Sequence, residues 1–150
     1  MGHTREIVST LRKKNQDLEN SANEITELNE GLLITLSEIV DLRDPYVLGH
    51  SKQVAIYATE IAKELKIKPK QVELVRKAGL LHDIGKLGIP MELLTKPSGL
   101  TPKEYEIIKT HAALGGDLIK NTPSLRQLAQ IVRHHHERHD GNGYPDKIAG

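Results

Sequence analysis

The chain has 150 residues, with 21 Lys and Arg against 20 Asp and Glu, for a formal net charge of +1. That balance argues against a nucleic-acid polymer as partner, and the absence of Cys leaves His and carboxylates to hold any metal. Four Tyr are the only aromatic residues, so the core is expected from Leu, Ile, Val and Ala. No apolar run approaches the roughly 20 residues of a membrane span, and a cytoplasmic setting is expected.

From Ile7 onward, Leu11, Leu18, Ile25, Leu32 and Ile39 recur every seven residues, while Ile7, Lys14, Ser21, Leu28, Thr35 and Leu42 form the second seam. This heptad pattern predicts a parallel two-stranded coiled coil over residues 4–42, with polar Lys14 and Ser21 able to set its register. The alternative is one long amphipathic helix folded onto its own domain. Asp44-Pro45 ends or kinks the helix, since a residue before Pro avoids the α region.

A second helix is expected from about Gly49 to Leu65, burying Val54, Tyr57, Ala58, Ile61, Ala62 and Leu65, with His50 in its first turn. Pro69 opens a third helix running through Val72, Val75 and Leu80 to Asp83, where Gly85, Gly88 and Pro90 break it. Leu100-Thr101-Pro102-Lys103-Glu104 has an N-cap, a Pro at the first helical position and an acidic first turn. That helix carries Ile107, Ile108 and His111 and continues past Gly115-Gly116 to about Leu118. Thr122-Pro123 opens the last helix, through Leu125, Leu128, Ile131 and Val132 into His134-His135-His136-Glu137. No alternating strand pattern occurs, so the fold class is all-α.

The chemistry gathers around Leu80-Leu81-His82-Asp83-Ile84-Gly85-Lys86, a His-Asp pair inside an apolar run. Neighbours on a helix lie about 100° apart, so His82 and Asp83 both lean into one cavity, with Lys86 one turn beyond. A buried histidine beside an Asp83–Lys86 ion pair would give the same pattern. His50, His111, His134, His135 and His136 are the further candidates, and a convergent His/carboxylate set suits Fe, Mn, Zn or Ni. Within the triplet only two neighbours can reach one site, because His134 and His136 point about 200° apart. Asp140-Gly141-Asn142-Gly143-Tyr144-Pro145 is a turn by its Gly and Pro content. Glu137 and Asp140 are candidates to orient ligand histidines from behind.

Asp44-Pro45-Tyr46 through Gly49-His50-Ser51, His82-Asp83-Ile84-Gly85-Lys86, His111, and His135-His136-Glu137-Arg138-His139-Asp140-Gly141-Asn142-Gly143-Tyr144-Pro145 together resemble the signature blocks of the HD-GYP family of HD phosphohydrolases, over residues 33 to 150. The resemblance implies an HD-domain helical bundle over residues 43–150. It implies a phosphodiesterase that hydrolyses cyclic di-GMP to linear pGpG or GMP, using two divalent transition metals, iron or manganese first and zinc or nickel next. His50, His82, Asp83, His111, His135 and His136 match the family's metal ligands, Lys86 and Asp83 its catalytic groups, and Asp44 a site carboxylate. Tyr46 stands where members with three metals carry Glu, which favours two. The family's final ligand Asp and later helices would lie beyond Gly150, so the stretch is expected to be incomplete and nearly inactive. The implied partners are a cyclic dinucleotide, a second copy through the N-terminal helix, and proteins of the diguanylate cyclase type at the Gly-Tyr-Pro loop. Two other readings are an HD phosphohydrolase for a different nucleotide and an inert signalling module.

Overall fold

The computed structural model describes residues 2–44 and 48–150. Pro45 as a helix terminator and Tyr46 as the residue in the third-metal position lie outside the described residues. Among the described residues the regular elements are helices α1 (Gly2–Asp41), α2 (His50–Glu64), α3 (Pro69–Leu81), α4 (Met91–Leu94), α5 (Pro102–Ile119) and α6 (Arg126–His134), with a 3₁₀ turn at Ile84–Gly88. The only β-type pairing among them is an isolated bridge between Asp140 and Ala149, so the fold is all-α.

The chain divides into two compact units, Met1–Leu32 and Leu33–Gly150. The first is helical throughout its described length, and its apolar seam faces solvent: Leu11 is 55 % exposed, Leu18 68 % and Ile25 59 %. The second begins within α1, whose last turns bury Leu33, Ser37, Val40 and Asp41. Its core joins Leu33 and Val40 to Ala55 of α2, Ala78, Leu80 and Leu81 of α3, Ile84, Ile119 of α5, and Leu128, Ala129 and Val132 of α6.

Local signals fix the helix starts. Pro69 and Pro102 stand in the first turns of α3 and α5, where their missing N–H costs nothing. Thr101 and Glu104 form a capping box, the Thr101 hydroxyl accepting from the Glu104 N–H and the Glu104 carboxylate accepting from the Thr101 N–H. Three expectations need correction. α6 begins at Arg126 rather than Thr122-Pro123, because the Leu125 N–H turns back to the Thr122 carbonyl three residues away and the chain there makes a turn. α3 stops at Leu81, so Lys86 lies on the 3₁₀ turn and not one α-turn beyond His82.

The third correction concerns α2. Tyr57, Ile61 and Leu65, assigned to its buried face, are 64 %, 61 % and 69 % exposed; Ala62 is buried as expected, and Ser51 and Ala55 are buried with it. Small residues win because α2 and α3 approach closely: a Cβ at Gly79 would come within 2.9 Å of the Ala55 Cα. Leu or Ile on that face would force the helices apart.

Candidate metal centre

His82 and His135 occupy the C-cap positions of α3 and α6, and His111 lies on the buried face of α5. Each donates from Nδ1 to the carbonyl three residues earlier: His82 to Gly79 at 2.8 Å, His111 to Ile108 at 2.7 Å and His135 to Val132 at 2.6 Å. A carbonyl can only accept, so Nδ1 carries the proton and the Nε2 lone pair of each neutral ring is free.

Those lone pairs converge. His111 Nε2 lies 3.3 Å from His135 Nε2, and both face Asp83 Oδ1, at 3.3 and 3.9 Å. His82 Nε2 lies 3.3 Å from Asp83 Oδ2. In the neutral form these are acceptors facing acceptors, an arrangement that is repulsive unless a cation lies among them. The donors fall into two groups, Asp83 with His111, His135 and His136, and Asp83 with His50 and His82; within each, one donor atom from every residue lies within 4.8 Å of the others. Asp83 belongs to both. Imidazole nitrogens with one carboxylate are a donor set for a divalent transition metal rather than for Ca²⁺ or Mg²⁺, and the residues present therefore fit such ions. All six expected ligands are brought together.

The electrostatics agree. Burial pushes the Asp83 carboxyl up, but the His111 and His82 side chains and the Lys86 ammonium beside it outweigh burial and hold the group well below the usual carboxylate range. Burial lowers His135 to about 4, against the bond to Val132, and burial together with the charge of His111 lowers His136 to about 4. Both rings are neutral at pH 7, as ligands must be. His82 is pulled down by burial and lifted above its ordinary value by the adjacent Asp83.

Lys86 Nζ is 2.9 Å from Asp83 Oδ2 and 3.6 Å from Asp44 Oδ2, at the edge of the donor cluster. The 3₁₀ turn that carries it packs tightly on α5: a Cβ at Gly85 would overlap the His111 carbonyl oxygen and lie 2.5 Å from the Gly115 N. His136 stacks on Tyr144, with ring centroids 4.6 Å apart and planes at 23°, and burial pushes the Tyr144 phenol up to about 12.

His134 is the outward member of the triplet, 2.9 Å from Asp146 Oδ2, which Arg133 also pairs. Neither carboxylate expected to orient a ligand histidine does so. Glu137 accepts from the backbone N–H groups of Asp146, Lys147 and Ile148 at 2.6, 2.9 and 3.1 Å, which anchors the loop carrying Tyr144. Asp140 pairs with Arg138 and accepts from the Asn142 N–H. Gly141 adopts φ +72°, whereas Gly143 serves by lacking a Cβ, which would lie 2.6 Å from the His136 carbonyl oxygen. Asp41 is the site-supporting residue that sequence reasoning missed; its buried carboxylate meets Ser51 across ten residues.

Known proteins are similar to this chain in sequence. The HD domain family matches residues 35–150. A 3'3'-cGAMP-specific phosphodiesterase 3 of Vibrio cholerae is 38 % identical over 121 residues, covering 81 % of this chain and 26 % of the relative. A cyclic di-GMP phosphodiesterase of Thermotoga maritima is 38 % identical over 144 residues, 92 % of this chain and 39 % of the relative. The cyclic di-GMP phosphodiesterase response regulator RpfG of Xanthomonas campestris is 33 % identical over 137 residues, 90 % of this chain and 36 % of the relative. The chain thus spans between about a quarter and two-fifths of the length of these relatives. The match begins where α1 enters the second unit and takes in all six converging donor residues, and with most of the chain matched the chain belongs to the HD domain family.

Proposed function

We propose that the chain carries a two-metal phosphodiesterase centre that hydrolyses cyclic di-GMP to linear pGpG and GMP. The observation that carries this reading is the face-to-face array of acceptors, in which three Nε2 atoms and both oxygens of Asp83 leave room only for positive charge. When bound, two divalent ions would polarise the phosphodiester and supply a water of lowered pKa. His50, His82, His111, His135 and His136 hold them and Asp83 spans both groups. Lys86, at the rim, offers its ammonium to a phosphate oxygen as charge grows there. Tyr144 walls the side of His136 and restricts solvent.

The names of the relatives support a cyclic dinucleotide as substrate, and the cGAMP-specific relative favours a second reading in which 3'3'-cGAMP is hydrolysed at the same centre. The test is hydrolysis of both dinucleotides by protein reconstituted anaerobically with Fe²⁺ or Mn²⁺, beside Asp83→Ala. Linear product from the parent and none from the variant supports the reading; no metal uptake by the parent refutes it. Residues 4–42 are further proposed to pair two copies as a parallel coiled coil, since the exposed Leu11, Leu18, Ile25 and Leu32 recur at heptad spacing.

A further inference from the structure

Resting on the two-metal reading, we propose that Asp41, at the end of α1, is a positioning residue for His50. The first turn of α2 lacks its own cap: Gly49 stands at the N-cap with φ +80° and no side chain, and no acidic residue follows in that turn. Asp41 takes over the task. Its Oδ2 accepts from the Ser51 N–H at 3.2 Å and its Oδ1 from the Ser51 hydroxyl at 2.6 Å. Asp41 is 4 % exposed and Ser51 fully buried, so water cannot replace either bond. A buried charge-assisted pair of this kind fixes the backbone it holds.

The backbone so held carries His50, the residue before Ser51. His82, His111 and His135 are each locked by Nδ1 on a helix carbonyl. His50 has no such bond among the described residues, so its place rests on its backbone. Its ring lies 5.3 Å from the His82 ring at 63°, inside the group formed with His82 and Asp83. The other group, Asp83 with His111, His135 and His136, takes its histidines from α5 and the end of α6, and among the described residues no hydrogen bond or ion pair joins Asp41 to it. The last turn of α1 therefore sets the geometry of one donor group and leaves the other alone. Among the described residues the Asp41 carboxylate bonds to Ser51 and to no donor histidine, so it acts through Ser51.

The test uses the full chain, metal-free and then titrated with Mn²⁺, as parent, Asp41→Asn and Ser51→Ala. Stoichiometry and affinity of each ion are read by calorimetry and electron paramagnetic resonance, and amide hydrogen exchange is read on the metal-free proteins. Both variants are expected to keep one ion at parental affinity and to bind the second roughly 10–100-fold more weakly, with faster exchange in the first turn of α2 and unchanged exchange in α6. Parental binding of both ions in a folded variant overturns the proposal, as does equal weakening of both. Should Asp41→Asn fail to fold, Ser51→Ala, which loses a single hydroxyl, decides alone. A parent that binds no Mn²⁺ refutes the metal centre, and exchange in α2 then still decides whether Asp41 holds the backbone of His50.

Discussion

Gly85→Ala is the sharpest single-atom perturbation of this centre. The added Cβ would overlap the carbonyl oxygen of His111, lie 2.5 Å from the Gly115 N and 2.8 Å from the His111 carbonyl carbon. All three are backbone atoms of α5, locked in its hydrogen-bond ladder, so no rotamer change relieves the clash; the 3₁₀ turn must lift by about 1 Å. Lifting it unseats Ile84, which is 4 % exposed, and overpacking of this kind costs about 3 kcal/mol. For a unit of this size that loss lowers the melting temperature by roughly 10 °C. Asp83 caps the turn and Lys86 lies on it, so the carboxylate shared by both donor groups moves too, and Mn²⁺ affinity should fall with stability. Differential scanning calorimetry with and without Mn²⁺ reads both effects. A variant melting within about 2 °C of the parent would show that the turn is not seated on α5 as described.

Lys86→Ala should retain two ions but lower turnover roughly 100-fold, the scale of losing one preorganised donor to a reacting oxyanion; unchanged turnover would make Lys86 a structural partner of Asp83 and Asp44. The metal-free protein should lose stability as pH falls from about 6.5 to 4, because His135 titrates near 4 when folded and near 6.5 when unfolded, so the unfolded chain binds more protons across that window. His135 alone contributes up to about 3 kcal/mol; the raised His82 acts in the opposite sense, its contribution present below about 6.5 and lost at higher pH through its folded value. Equal melting temperatures at pH 7 and pH 4.5 would contradict this. Glu137→Gln should loosen the Tyr144 loop, with faster amide exchange at residues 146–148, and unchanged exchange there would remove its anchoring role. Leu18→Glu combined with Ile25→Glu should convert a dimer to a monomer by light scattering, and a parent already monomeric at micromolar concentration would end the coiled-coil proposal.

The sequence made some of this legible and hid the rest for physical reasons. Pro69, Thr101, Pro102 and Glu104 announce helix starts because their signals are local. Residue type marked the histidines as candidates and helix geometry that one end of the triplet turns outward, while His135 and His136 as the inward pair followed only from the family resemblance. The inward face of α2 was legible at Ala62 but not elsewhere, since periodicity favours the larger Tyr57, Ile61 and Leu65 while close helix approach selects Ser51 and Ala55. Glu137 and Asp41 were also obscure, or misassigned, because their partners are backbone N–H groups nine to eleven and ten residues away. Such bonds are set by tertiary approach and leave no periodic trace.

The C-caps of α3 and α6 meeting at His82 and His135 imply a charge deficit. A helix carboxyl end carries about half a negative charge, so two such ends with Asp83 provide about two. Lys86 and Asp44 offset one another at 3.6 Å. Two divalent ions of the proposed centre would bring four positive charges, about two more than these described groups neutralise. On the proposed reading a cyclic dinucleotide, with one charge on each of its two phosphates, would complement that remainder, whereas a neutral ester would not.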